Sequence, residues 1–264
     1  VYRETVKKLS PEVEGKSPNK HNKLYFVVEP LDPVIAQGIK EGKVTNGRLR
    51  KRDEQTITFL REECGWDTKT AGMVKATCNG NMFMDQTRGI VYINEIIELV
   101  LDMFEDVMKA GPLAKEPCMG VKVSLMDCNL HEDAIHRGPA QMYPAVREGI
   151  RGAMMQAGPV MFEPLQIMRI EAPTEYTGEI SKIVSSKRGQ LLDMNQEEDQ
   201  VIVKAKLPVA ELIGWSSDLR SATEGRGNST LVDQMFEKLP AELQERVRTQ
   251  IVQRKGLSSG ELGA

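Results

Sequence analysis

The sequence of 264 residues lacks several features that mark particular classes of protein. It has no run of about 18 apolar residues, which a membrane-spanning helix needs, and no signal-peptide pattern at its start. Its four cysteines, Cys64, Cys78, Cys118 and Cys128, form no C-x-x-C pair. They therefore predict free thiols that pack as small apolar side chains. These absences favour a cytoplasmic protein without a membrane partner.

An excess of charge of one sign is also absent. The 35 basic and 38 acidic residues give a formal net charge of −3, which is too small to draw the whole protein onto nucleic acid or anionic lipid. Any contact with phosphates must therefore come from a local group of cations. The length favours two domains. The chain opens on Val1 rather than Met, which favours a segment of a longer protein.

Hydrophobic patterns in the first part of the chain alternate between strands and helices. The most regular pattern is Ile93–Ala110, where apolar residues recur at helical spacing until Gly111-Pro112 ends the run. It predicts a long amphipathic helix against a sheet. The predicted strands are Tyr2–Val6, Leu24–Glu29 and Met119–Leu130, and the other predicted helices are Arg48–Cys64 and Tyr143–Gly158.

Beyond Gly158 the pattern changes to the order βαββαβ, which is the split βαβ arrangement. In the fifth of these elements, Leu212 and Ile213 are expected to point inward. A last amphipathic helix, Ala241–Val252, could fold back onto the first domain. The six elements are Leu165–Ile170, Glu175–Ser186, Gln190–Met194, Val201–Leu207, Pro208–Arg220 and Thr230–Phe236.

Two short polar segments carry all three histidines of the chain. The segment NLHEDAIHRGPAQ, Asn129–Gln141, lies between a predicted strand and a predicted helix, and EGKSPNKHNK lies between two predicted strands. Their side chains are donors that suit phosphates and RNA bases. If both loops lie at one end of the sheet, the histidines share a surface; the alternative is two unrelated solvent loops. The donors are Lys20, His21, Lys23, His131, His136 and Arg137.

Two other motifs are weaker than they look. HEDAIH is similar to the zinc-binding H-E-x-x-H, but His131 and His136 are five apart, which separates them by about 140° on a helix, and Gly138-Pro139 interrupts any helix there. This spacing disfavours a metal site. GLSSG, Gly256–Gly260, resembles a phosphate loop, but no helix follows it to bind the phosphate. A flexible tail is the favoured interpretation.

The basic cluster Arg48, Arg50, Lys51 and Arg52 is open to two interpretations, a solvated helix start or an RNA contact, and the first is favoured. A free-standing enzyme that uses the histidines for metal or acid–base chemistry is the alternative function. No G-x-x-x-x-G-K-[ST] loop is present, and NKHN lacks the Asp of a guanine-reading N-K-x-D.

Six segments, LHEDAIHRGPAQ, YRETV, SPNKHN, GIVYINEI, KRGQ and DLRSAT, closely resemble the C-terminal part of the archaeal and eukaryotic translation elongation factor 2 family. The resemblance covers essentially the whole chain. It implies an α+β fold of two domains. Residues 1–160 would form domain IV, a βαβ-type, ribosomal-protein-like domain with tip loops near 17–23 and 129–141. Residues 161–239 would form domain V, ferredoxin-like and βαββαβ, with helix 240–264 packing back on domain IV.

The resemblance also implies a function for the histidine segment. In this family the tip of domain IV enters the ribosomal decoding site during tRNA–mRNA translocation. The second histidine of the motif, here His136, is converted to diphthamide by the diphthamide biosynthesis enzymes, and the same residue is the target of diphtheria-type ADP-ribosylating toxins. The exposed ring suits this chemistry. Gly138-Pro139-Ala140 stands where eukaryotic members have three glycines, and this departure looks archaeal.

Roles for the remaining tip residues follow from the same resemblance. Arg137 is expected to contact phosphate, and His131 to pack beneath the tip. Gly138 and Pro139 set the loop shape, and Gln141 bonds to backbone or RNA. Asp133 and Glu132 are expected to orient the loop or to repel competing phosphates, and Lys20, His21 and Lys23 complete the tip from the neighbouring loop.

The resemblance implies no catalytic residue, metal ligand or cofactor in this chain. GTP and magnesium are expected on a GTP-binding domain that precedes it. Domain V is expected to lie near the large-subunit stalk base.

Overall fold

The computed structural model describes residues 1–263 and contains two compact units. The larger unit comprises Arg3–Met161 and the segment from Pro240 onward; the smaller comprises Val1–Tyr2 and Phe162–Leu239. The strands are β1 (Arg3–Val6), β2 (Val13–Lys16), β3 (Lys23–Pro30), β4 (Gly47–Arg48), β5 (Val74–Cys78), β6 (Asn81–Asp85), β7 (Val121–Asn129), β8 (Pro159–Pro173), β9 (Gln190–Glu197), β10 (Gln200–Pro208) and β11 (Asn228–Lys238). The helices are α1 (Pro33–Lys40), α2 (Glu54–Cys64), α3 (Thr68–Ala71), α4 (Ile93–Lys109), α5 (Pro139–Gln156), α6 (Thr177–Ser186), α7 (Trp215–Ala222) and α8 (Ala241–Lys255).

The larger unit is built on a six-stranded sheet in the order β2-β3-β7-β6-β5-β4. Strands β6 and β7 are parallel, and the other neighbouring pairs are antiparallel. A parallel pair needs a long crossover connection, and α4 lies within it. The larger unit therefore contains a βαβ unit inside a mixed sheet.

Hydrophobic residues are buried on both faces of this sheet. In β6, Phe83 packs into the core formed with α4 and α5. Its neighbours Met82 and Met84 pack into a second core, formed with α1 and α2. Side chains alternate between the two faces of a strand, so one strand supplies both cores.

Helix α2 begins six residues later than the sequence pattern predicted. The Asp53 side chain accepts a hydrogen bond from the Thr56 N–H and caps the helix at Glu54. Arg48 lies in β4, so it belongs to the sheet and not to the helix. The end of α2 lies at Gly65, in the left-handed conformation that favours glycine.

A buried carboxylate joins the start of the larger unit to a loop after α4. Glu4 is fully buried and accepts backbone hydrogen bonds from Leu113, Ala114 and Glu116, at 2.6, 3.2 and 2.7 Å. Burial raises the pKa of Glu4 to about 7, against the lowering effect of these three bonds. The loop 111–116 is therefore held by a group that titrates near neutrality.

Helix α8 contacts the same loop. Arg248 Nε donates to the Leu113 carbonyl at 3.0 Å, and Lys255 Nζ donates to the Ala114 carbonyl at 2.9 Å. The Lys255 ammonium also lies 3.3 Å from the buried Glu116 carboxylate.

None of the helices within residues 1–263 has the length and apolar character that a membrane crossing requires.

The smaller unit has an antiparallel sheet in the order β9-β10-β8-β11. Helices α6 and α7 supply buried Ile180, Val184, Trp215 and Leu219 to its core. The order of elements is βαββαβ, and the predicted α+β fold is confirmed.

Ile213 was wrongly predicted to point inward, since it is 88% exposed. The residues after β10 form a 3-10 turn, Val209–Glu211, and α7 begins only at Trp215. Gly214, with a φ of +78°, separates the two. Ile213 therefore lies in a connection, while its neighbour Leu212 is partly buried against the core.

Candidate nucleic-acid interface

The pairing of two strands brings the histidine-bearing loops together. Strands β3 and β7 are antiparallel, with Lys23 opposite Asn129 and Leu24 opposite Cys128. The loop that enters β3 and the loop that leaves β7 therefore lie at the same end of the sheet. We call residues 17–23 and 129–141 together the tip.

All three imidazole rings meet at the tip. The ring centroids are 4.9 Å apart for His21 and His131, 4.8 Å for His21 and His136, and 4.3 Å for His131 and His136. His21 is exposed, whereas His131 and His136 are half-buried. The ring of His136 is thus less exposed than the sequence suggested, because two other imidazoles lie against it.

A buried asparagine holds the two loops together. Asn22 is fully buried, and its Nδ2 donates to the His136 carbonyl at 2.7 Å. Its Oδ1 accepts from the His131 N–H at 3.0 Å. The same amide thus satisfies one acceptor and one donor of the histidine segment. Sequence analysis missed this role of Asn22; the only signal was its place in the resembling segment SPNKHN.

A second amide pair reinforces the same junction. The Asn19 N–H donates to Gln141 Oε1 at 2.9 Å, and Asn19 Nδ2 donates to the His136 carbonyl at 3.3 Å. Gln141 therefore bonds to backbone of the neighbouring loop. Together with Asn22, these amides fix the backbone of His136 without using a charged side chain.

Asp133 shapes the histidine segment itself. Its Oδ1 accepts from the Ile135 N–H at 3.1 Å and caps a 3-10 turn, Ala134–Arg137. Its own N–H donates to Nδ1 of His131 at 3.0 Å. His131 Nδ1 is therefore an acceptor, which puts the proton of a neutral ring on Nε2. The neighbouring Glu132 is exposed.

Arg137 supports the tip from inside, and its predicted contact with phosphate stays a prediction. It is 5% exposed and donates to the His131 carbonyl and to the Glu95 carboxylate of α4. Its guanidinium lies 4.0 Å from the centroid of the Tyr92 ring, a cation–π contact. These partners hold the guanidinium inside the tip.

Gly138 and Pro139 end the tip by starting a helix. Gly138 precedes α5, and Pro139 is its first residue, where proline is favoured because its fixed φ suits a helix start. Helix α5 therefore begins four residues earlier than predicted, and Gln141 lies in its first turn.

The groups that remain on the outside of the tip are few. Lys20 is exposed, with a φ of +65°, and Lys23 is half-buried at the start of β3. Ile135 is 77% exposed. The outer surface thus presents Lys20 and the His21 ring together with the exposed Glu132, Asp133 and Ile135, on a loop pair with a fixed backbone.

The basic cluster that precedes α2 does not act as one surface. Arg48 pairs with Glu98, Asp102 and Glu105 of α4, so it links strand β4 to that helix. Arg50, Lys51 and Arg52 are exposed, in keeping with the solvated interpretation.

In residues 1–263, no group of three or more His, Cys, Asp or Glu side chains is placed to hold a metal ion.

Two family models match the chain. The model for elongation factor G, domain IV, matches residues 42–158, and the model for the elongation factor G C-terminus matches residues 160–247. Elongation factor 2 from Methanocaldococcus jannaschii and from Pyrococcus furiosus are each 49% identical over 257 residues. That from Nanoarchaeum equitans is 46% identical over 261 residues. Each alignment covers 97% of this chain and 35% of the relative, so the chain spans about a third of the length of these curated relatives.

The fold and these matches define a pair of domains from a translation elongation factor. The chain belongs to the elongation factor 2 family, which confirms the resemblance found in the six sequence segments.

Proposed function

We propose that this chain is the RNA-contacting part of a translocation factor. Its tip enters the decoding site of the small ribosomal subunit while tRNA and mRNA move. The observation that carries this proposal is the convergence of His21, His131 and His136 at one end of the sheet. A backbone fixed by Asn22 and Asn19 supports the rings.

This construction suits contact with structured RNA. Imidazole and ammonium groups donate to phosphates and base edges, and imidazoles can stack on bases. A loop that is already ordered loses little conformational entropy on binding. Lys20 is exposed on the outer surface, where its ammonium can meet RNA.

We further propose that His136 is the site of diphthamide. An aminocarboxypropyl group from S-adenosylmethionine replaces the hydrogen of an imidazole carbon, and methylation and amidation follow. The His136 carbonyl is fixed by Asn22 and Asn19, so modification of the ring leaves the backbone in place. The ring is half-buried beside His21, so the exposed His21 ring must turn aside to admit the enzyme.

The partners in this proposal are the ribosome and the diphthamide biosynthesis enzymes. The tip contacts small-subunit RNA and the tRNA–mRNA complex, and the smaller unit lies near the large-subunit stalk base. Diphtheria-type toxins act on the modified His136. GTP and magnesium bind to a GTP-binding domain outside this chain. This chain supplies no catalytic residue. The protein works in the cytoplasm. No feature of the tip favours the alternative of a free-standing enzyme.

Peptide mass spectrometry tests the modification. Protein from the native host is expected to carry added mass on His136, and protein made in a bacterium is not. The matched variants are His136→Asn and His131→Asn, both made in the native host. The first should abolish the added mass, and the second removes a neighbouring ring without removing the modified one. An unmodified native peptide, or added mass on His131, contradicts the assignment.

A further inference from the structure

The larger unit has a cavity of about 430 Å³ away from the tip. It lies beside the C-terminal end of α4, the middle of α5 and a 3-10 turn at Ser259–Glu261. Four cations and two acids line it: Lys109, Lys115, Arg147, Arg151, Asp106 and Glu261. The lining thus has a formal charge of +2 in a chain whose formal charge is −3.

Two arginines that line this cavity repel each other. Arg147 and Arg151 are four residues apart on α5, so they share a face of the helix, where like charges repel. Burial, and then the charge of Arg147, lowers the pKa of Arg151, and the charges of Glu148 and Glu4 oppose this shift. The Nε atom of Arg151 is buried without a hydrogen-bond partner. An unsatisfied buried donor is costly, and the repulsion between the two arginines adds to that cost.

Among the described residues, neither acid that lines the cavity forms an ion pair with these arginines. The Glu261 carboxylate lies 3.2 Å from the Lys115 ammonium and forms an ion pair with it. Within the described residues, Asp106 forms no ion pair with Arg147 or Arg151. The positive charges without an ion pair in the cavity are therefore those of the two arginines and of Lys109, which is exposed at the rim.

We propose that this cavity binds a phosphate group. A guanidinium presents a planar fork of donors that matches two phosphate oxygens, and two such forks with a lysine at the rim suit an anion of two charges. The anion would relieve the repulsion between Arg147 and Arg151. The phosphate has two possible sources, an RNA backbone or a free phosphate compound.

This site is separate from the tip and goes beyond the proposed function. Arg151 lies 13 residues after Gly138, at the start of α5, which corresponds to about 20 Å along the helix axis at 1.5 Å per residue. A phosphate bound at the tip cannot also occupy the cavity. Failure at one site therefore leaves the other proposal unaffected.

Titration of the protein with inorganic phosphate, followed by NMR of backbone amides, tests the proposal. We expect saturable shifts of amides around Arg147 and Arg151 and no comparable shifts at the tip. Arg151→Gln and Arg147→Gln should each weaken phosphate binding by about tenfold, because each removes a charge-assisted hydrogen bond. Arg151→Lys keeps the charge and should retain part of the affinity. Arg246→Gln, at an exposed position on α8, is the matched control and should change nothing.

A short single-stranded RNA as competitor distinguishes the two sources. Displacement of inorganic phosphate from the cavity by the RNA indicates an RNA backbone, and saturable phosphate binding without displacement indicates a free phosphate compound; both support the proposal. Phosphate affinity that is unchanged in Arg147→Gln overturns it, as do shifts confined to the tip or no binding at all. If Arg151→Gln does not fold, the half-buried Arg147 carries the test.

Discussion

Two loops of the larger unit are held by a buried polar side chain, and they differ in its chemistry. The histidine segment is held by the Asn22 amide, which donates to one backbone carbonyl and accepts from one N–H. The loop 111–116 is held by the Glu4 carboxylate, which only accepts. The amide satisfies groups of both kinds without charge, whereas the carboxylate must be desolvated. The anchor of the first loop therefore keeps the same charge at any pH near neutral, and the anchor of the second loop does not.

This difference suits the function that we propose for the tip. A loop that contacts RNA must keep its backbone geometry while charges approach it, and a neutral anchor does not respond to those charges. The loop around Glu4 lies within the unit, where it joins β1 to α8 through Leu113 and Ala114. Four predictions test the comparison, in order of decreasing effect.

The largest effect is expected for Asn22→Ala. It leaves the His136 carbonyl and the His131 N–H without partners, which should lower the free energy of unfolding by about 3 kcal/mol. Urea unfolding of the purified chain measures the change. Asn22→Asp is the sharper variant, because it gives the tip a buried carboxylate, and its stability should then fall more steeply with rising pH than that of the wild-type chain. The same change in stability between pH 5 and pH 8 for Asn22→Asp and for the wild-type chain would contradict the comparison.

The second prediction concerns Glu4. Its pKa is raised from an ordinary value of 4.5 to about 7 by burial, so the folded chain binds more protons than the unfolded chain between these values. Stability should therefore fall as pH rises through this interval, by about 3 kcal/mol in all. Urea unfolding at pH 5 and pH 7 measures the slope.

Glu4→Gln is the control for that slope. It should cost about 2 kcal/mol at pH 5, because the amide nitrogen cannot accept the N–H groups that bond one carboxyl oxygen. The cost should shrink towards pH 7, since only the wild-type chain loses stability over that interval. A variant with the wild-type pH dependence would show that another group is responsible.

A smaller effect is expected for Arg137→Met, which keeps most of the side-chain volume. The loss of the bonds to Glu95 and to the His131 carbonyl should lower stability by about 1 kcal/mol. Arg50→Met, at an exposed position, should change stability by less than about 0.5 kcal/mol. Unchanged stability together with a weaker salt dependence of ribosome binding would instead indicate that Arg137 contacts a phosphate.

The smallest effect on stability is expected for Lys20→Gln, since Lys20 is exposed. In the full-length factor it should reduce the salt dependence of ribosome binding by about one unit of slope or slightly less, as for one lost phosphate contact. Lys40→Gln, exposed at the end of α1, is the matched control. Equal slopes for the two variants would remove Lys20 from the interface.

The convergence of the three histidines could be predicted from the sequence, because it depends on local patterns. Both loops adjoin strands of one sheet, and an antiparallel pair brings the start of one strand to the end of the other. The hydrogen-bond partners of the tip residues could not be predicted, because they are distant in the sequence. Asn22 bonds a residue 114 positions away, and Glu95 lies 42 positions from Arg137. A buried arginine in a polar segment looks like an exposed one until its partner is known.

Strands β5 and β6 were also not predicted. Both faces of the sheet are covered there, so Met82, Phe83 and Met84 are all buried and the polar–apolar alternation of a half-exposed strand is missing. The regular pattern of α4 survives because only one of its faces is buried. The sequence was therefore most informative where one side of an element meets water.

The most direct test of the central claim is crosslinking from the tip. A benzophenone amino acid in place of Ile135, which is 77% exposed, is introduced into the full-length factor bound to ribosomes with tRNA and mRNA. The same probe in place of Val34, which is 47% exposed on α1, is the control. We expect light-dependent crosslinks from position 135 to small-subunit RNA, tRNA or mRNA at the decoding site, and none there from position 34. No RNA crosslink from position 135, or equal crosslinks from both positions, would contradict the claim that the tip contacts RNA.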